Sequence, residues 1–67
     1  MRGSIAKNIR NLRKKKGITQ SKLAQETDLS RNTIVNFETE RRDPRVKDLR
    51  KIARAIDVSI EQLLTDK

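Results

Sequence analysis

The sequence predicts an all-α domain of five short helices around one core, and three observations predict it. Apolar residues recur at helical spacing in five separate stretches, with neither strand-like alternation nor an internal repeat. Each stretch is bounded by a capping residue or a helix breaker. The chain has 67 residues, enough for a single domain over 1–67 and too few for two. A domain of that size buries a modest core, so its helices depend on one another.

The first helix is expected over residues 4–16. Ser4 serves as its N-cap, and Ile5, Ile9 and Leu12 follow at i, i+4 and i+7 with Ala6 beside them. Its outer face carries Lys7, Arg10, Lys14, Lys15 and Lys16, and Gly17 stops it where cations meet the negative helix end. Met1 to Gly3 are read as a loose end or an artificially added scar. A second helix is expected over residues 20–27 behind Thr19 as N-cap, with Ile18 and Leu23 placed to staple its start. Asp28 stands where the chain must turn through a left-handed conformation, which Asp tolerates better than most residues. Ser30 then caps a third helix over residues 31–39, with Ile34 and Phe37 one turn apart. Two helices joined by so short a reversal form a helix-turn-helix.

Pro44 blocks continuation of the third helix. Either Asp43 caps a fourth helix opening at Pro44, or that helix opens nearer Val46. Its apolar stripe is Val46, Leu49, Ile52, Ala53 and Ile56, and its outer side holds Lys47, Arg50, Lys51 and Arg54. Asp48 and Lys51 make a supportive i, i+3 pair, whereas Lys47–Lys51 and Arg50–Arg54 are like-charge i, i+4 pairs that oppose the helix. That face is read as solvated. Asp57 marks another turn. Ser59 with Gln62 is the capping-box signature of a fifth helix over residues 60–64, with Ile60, Leu63 and Leu64 on its apolar side.

Seventeen Lys+Arg against nine Asp+Glu give a net charge of +8. A small domain this basic seeks a polyanion, most often nucleic acid. Phe37 is the one aromatic residue, so the stacking platforms of single-strand and RNA binders are missing and duplex DNA is favoured. With no Cys and no His, disulfides, the usual zinc sites and His- or Cys-based nucleophilic catalysis are excluded. No cofactor is implied. The carboxylates are scattered over charged faces without a nucleophile–base constellation, so no enzyme is expected. No apolar run approaches the roughly 18 residues of a membrane span. The start lacks the apolar region of a signal peptide, and cytoplasmic residence is the default expectation.

The run TQSKLAQETDLSRNTIVNFE, preceded by IRNLRKKKGI and followed by Pro44 and IDVSIEQLL, resembles the Cro/C1-type helix-turn-helix domains. These lambda-repressor-like domains include the DNA-binding domains of lambdoid phage repressors and many small bacterial regulators. The resemblance covers residues 5–64. It implies Ala24 as the small residue where the two helices touch, and Leu23, Leu29, Ile34 and Phe37 as buried positions. It also implies a partly buried ion pair between Arg13 and Glu38. The sequence departs from the family pattern in places: Asp28 and Asp57 replace common glycines and Thr27 replaces an apolar residue. Glu40 and Arg45 replace the frequent Gly and Ser of the loop after the third helix.

If Ile34 and Phe37 face the core, Arg31, Asn32, Val35 and Asn36 face outward near the start of the third helix, the part that reaches base edges in such complexes. Arg can contact guanine O6 and N7 in bidentate fashion, and Asn can do the same to adenine N6 and N7. The resemblance carries base reading to Arg31, Asn32 and Asn36. Val35 either touches a thymine methyl or is partly buried. Phosphate contacts are expected from Gln20, at the start of the second helix, where the resemblance implies a backbone clamp. Ser30 is a further candidate, although capping is its plainer role. Arg41, Arg42 and Arg45 are expected to reach the other side of the groove, with Arg10 and Lys14 as weaker candidates.

The expected partner is a double-stranded DNA operator of two-fold symmetry, bound by a weak homodimer or by copies pairing on DNA through Ile60 and Leu64. The expected function is transcriptional regulation, repression first. A restriction-modification controller or an antitoxin of the same fold stays open. So does a protein- or RNA-binding adaptor, which would ignore changes at Arg31, Asn32 and Asn36. A membrane-surface peptide fits poorly, because the apolar stripes are needed for mutual packing.

Overall fold

The computed structural model describes residues 2–65 of the chain. Five helices follow in order: α1 (Arg2–Lys15), α2 (Gln20–Thr27), α3 (Arg31–Glu38), α4 (Val46–Ala55) and α5 (Ile60–Leu64). No strand occurs among the described residues. α2 packs on α3 and α4, α1 lies against α3 and α5, and α4 also touches α5.

Local chemistry sets the helix starts. Thr19 Oγ1 accepts the Lys22 amide at 3.0 Å, and Ser30 Oγ accepts that of Thr33 at 3.0 Å. At α5, Ser59 Oγ accepts the Gln62 amide at 3.2 Å while Gln62 Oε1 accepts the Ser59 amide at 3.0 Å, a reciprocal box. Two starts differ from expectation. Ser4 lies inside α1 and does not cap it: the residues before it contain no proline, and extending an existing helix costs far less than nucleating one. Of the three residues expected outside the fold, Met1 lies outside the described residues, and Arg2 and Gly3 open α1. α4 opens at Val46 and not at Pro44. Asp48, expected to pair with Lys51, is buried, and its carboxylate accepts the Arg45 amide at 3.0 Å. That bond fixes the first turn.

Four helices stop in the same way. Gly17, Asp28, Glu40 and Asp57 all have positive φ, between 57° and 72°. Each is followed by a residue whose amide bonds the carbonyl five positions back: Ile18 to Arg13, Leu29 to Ala24, Arg41 to Asn36 and Val58 to Ala53. This is the Schellman closure, which commonly carries an apolar residue just past the left-handed position. Ile18, Leu29 and Val58 obey that habit and pack on the core. Arg41 breaks it and is exposed.

The core gathers Ile9, Leu23, Ala24, Ile34, Phe37, Leu49, Ile52, Ala53, Ile56 and Leu63. Thr27 is buried with them, and its hydroxyl donates to the Leu23 carbonyl at 2.8 Å, so the polar group is satisfied within its own helix. Val46, counted by spacing into the α4 stripe, is 63% exposed. It is the first residue of the helix, where no earlier turn and no neighbouring helix covers it. Leu64 is likewise 49% exposed, so the packed side of α5 is Leu63 with half-buried Ile60. α5 is tied to α1 by Asn8, whose Nδ2 donates to the carbonyls of Leu63 at 2.9 Å and Thr65 at 2.6 Å.

Candidate nucleic-acid interface

α3 is an eight-residue helix with two faces. Ile34 and Phe37 are buried, which turns Arg31 and Asn32 fully outward and leaves Val35 and Asn36 half-buried at the rim. Arg31 and Asn32 are exposed in the first turn of the helix. At about 10–12 Å across with side chains, such a helix fits a major groove about 12 Å wide.

Behind α3, a chain of polar contacts runs from the core to the surface. Arg13 Nε donates to Glu38 Oε2 at 2.6 Å and Nη2 to Oε1 at 3.0 Å, a bidentate pair with side chains only 8% and 2% exposed. Arg13 Nη1 also donates to the Ile18 carbonyl at 2.7 Å. The same Glu38 Oε1 accepts Gln20 Nε2 at 3.1 Å, and Gln20 Oε1 in turn accepts Arg31 Nη2 at a long 3.4 Å. Such a network holds the end of α3 to α1 and the first residue of α2. Neither ion-pair partner is stranded, and no buried side-chain polar atom among the described residues lacks a hydrogen-bond partner.

The flanking candidates divide into those the fold gathers near α3 and those it does not. Gln20 is half-buried at the first turn of α2, beside Arg31. Ser30 is engaged twice, as cap of α3 and by a 2.8 Å hydroxyl–hydroxyl bond with Thr33. Arg41 and Arg42 are exposed, and both of their amides bond the Asn36 carbonyl, at 2.9 and 3.2 Å, which fixes them at the end of α3. Arg45 is exposed at the N-cap of α4. Arg10 and Lys14 are exposed on α1, and Arg10 borders a groove shared with Glu38 and Glu40. On α5, Leu64 is the exposed apolar residue, while Ile60 is partly spent on the core.

One feature escapes the sequence. The Gln20–Arg31 contact joins residues assigned separately to phosphate and to base; each opens its own helix of the helix-turn-helix, which is the signal that could have found it.

Comparison with known proteins agrees with this architecture. The helix-turn-helix family model matches residues 9–63. The HTH-type transcriptional regulator ImmR of Bacillus subtilis (strain 168) is 33% identical over 61 residues, 91% of this chain, and the chain spans about half of that relative, 48% of its length. The restriction-modification controller protein C.AhdI from Aeromonas hydrophila superposes with a TM-score of 0.89 at 27% identity, covering 92% of this chain and 94% of its own. The P22 c2 repressor, solved in complex with a synthetic operator, superposes with a TM-score of 0.84 at 27% identity, covering 94% of this chain and 96% of its own.

Proposed function

This chain belongs to the Cro/C1-type helix-turn-helix family, and from that premise we propose that it is a sequence-specific, double-stranded-DNA-binding transcriptional regulator. It acts as a repressor, with α3 in the major groove of a palindromic operator. The observation that carries the reading is the outward first turn of α3, where Arg31 and Asn32 project from a helix whose other side is buried. Their hydrogen-bonding groups match guanine and adenine edges, with Asn36 beside them at the rim. Val35 completes the reading surface from its half-buried place. The likeness to a repressor solved with its operator supports the same docking.

Gln20, Ser30, Arg41, Arg42 and Arg45 hold phosphates on either side of that helix, with lesser help from Arg10 and Lys14. These contacts orient the domain and make affinity fall with salt without selecting sequence. Two copies are needed for a palindrome. The longest dimension of the molecule is 26 Å, short of the roughly 34 Å between half-sites one helical turn apart. The copies meet weakly, or only on DNA, through Leu64 and the exposed edge of Ile60. The protein works beside the chromosome, in the cytoplasm, and performs no catalysis.

The test is selection of bound sequences from random duplex DNA at two salt concentrations, with Arg31→Ala/Asn32→Ala/Asn36→Ala alongside. The expected result is a palindrome with half-sites about one helical turn apart, lost in the variant. A pool without any motif, bound equally by the variant and released steeply by salt, would reduce the domain to a holder of phosphates.

A further inference from the structure

The outward face of α4 is not used by this reading. Lys47, Arg50, Lys51 and Arg54 fall at i, i+3, i+4 and i+7, so they form one ridge opposite the buried Leu49, Ile52, Ala53 and Ile56. All four are exposed, and none has a carboxylate within 4.0 Å among the described residues. The one acid of the helix, Asp48, is turned inward to the Arg45 amide. Like charges at 47 and 51, and again at 50 and 54, therefore oppose the helix that carries them. An anionic partner would relieve that opposition.

We propose that this ridge docks an acidic amphipathic segment of a partner protein, at a surface separate from the DNA-reading one. Position and surroundings both favour a peptide over a second DNA segment. α4 packs on α2 and α5, and the groove beside the ridge opens at the far end of α2. Glu26, Thr27 and Asp28 from the end of α2 and Arg50, Lys51, Arg54 and Ala55 from α4 line this open groove of about 430 Å³. Gln20, which touches Arg31, sits at the opposite end of α2, about 12 Å away along an eight-residue helix. Phosphates at uniform spacing would meet the Glu26 and Asp28 carboxylates, whereas a peptide can direct carboxylates at α4 and a neutral or cationic side chain at α2. Val46, 63% exposed at the head of the ridge, offers an apolar contact that a peptide can use and a phosphate backbone cannot.

The probe is a capped helical peptide carrying Glu at i, i+3, i+4 and i+7 and one Leu, titrated into the ¹⁵N-labelled protein. A control peptide has those Glu replaced by Gln. Saturable shifts are expected at residues 26–28 and 46–55, with the Gln peptide about tenfold weaker. Arg50→Gln/Lys51→Gln/Arg54→Gln should weaken the acidic peptide about tenfold. It should leave binding to random duplex DNA within about threefold, since the ridge is not the phosphate-holding surface. The variant removes both like-charge pairs and should melt no lower than the parent; should it fail to fold, Arg54→Gln alone is expected to weaken the peptide about threefold. Shifts confined to α3 and residues 41–45, competition by random duplex DNA for the α4 amides, or unchanged peptide binding by the variant would each overturn the proposal. DNA binding is read independently, so none of these outcomes bears on the operator-binding reading.

Discussion

Removing the Arg13 guanidinium would strand the Glu38 carboxylate, whose side chain is 2% exposed. A buried charge left without its partner costs about 3–5 kcal/mol. Arg13→Ala is therefore expected to lower the thermal midpoint by more than about 10 °C in a domain of this size. Circular dichroism on heating would check it, and an unchanged midpoint would remove the pair from any account of stability. The loss should reach DNA affinity too, because Glu38 also accepts the Gln20 amide and Gln20 touches Arg31. Arg13→Met/Glu38→Leu separates the two effects. Replacing both partners by apolar groups restores much of the stability, yet Gln20 still lacks its acceptor. An ion pair of this kind contributes through what it positions at least as much as through its net free energy.

The repeated helix stop gives a prediction at the level of the element. Three of the four left-handed positions hold Gly or Asp, which suit that conformation; the fourth, ending α3, holds Glu40. A left-handed non-glycine residue costs about 1–2 kcal/mol, partly offset by the greater freedom of Gly in the unfolded chain. Glu40→Gly is expected to raise the midpoint by about 3–6 °C, and Asp28→Gly by less, since Asp tolerates the conformation. Melting curves that rank the two in the opposite order would show that the strain lies elsewhere. The stops also explain what the chain made legible. Gly17, Asp28 and Asp57 announced turns by residue type, whereas Glu40 has no left-handed preference and marked its turn only as a departure from the family's usual glycine. α2 and α5 were readable because their caps act over three residues. The start of α4 was not, because Asp43–Pro44 and Arg45–Asp48 offer rival caps and the choice rests on the burial of Asp48. The outward side of α3 followed from helical periodicity alone. The Gln20–Arg31 contact did not, since it depends on how two helices cross.

Over the whole molecule, charge is segregated by helix: +8 in total is spread over outward faces of α1 and α4 and the residues after α3, while the apolar stripes close inward. Four of the five helices have ten residues or fewer, and α5, with five, is far below the dozen or more that an isolated helix needs in water. It is the Asn8 amide that bridges to it across 55 and 57 positions of sequence. Asn8 is therefore a polar latch between the two ends of the fold, beside the packing of buried Leu63, and the last turn cannot fray without releasing it. In amide-exchange terms, Thr65, whose N–H bonds the Glu61 carbonyl, should exchange as slowly as the α1–α5 contact allows, and not at the rate of a free tail. Asn8→Ala should quicken exchange at Thr65 by about tenfold, the equivalent of about one hydrogen bond, while the amides of α2 and α3 keep their protection. Uniform acceleration through all five helices would mean instead that the latch is the keystone of global stability. Either way, the turn that exposes Leu64 is set from α1, far away in sequence.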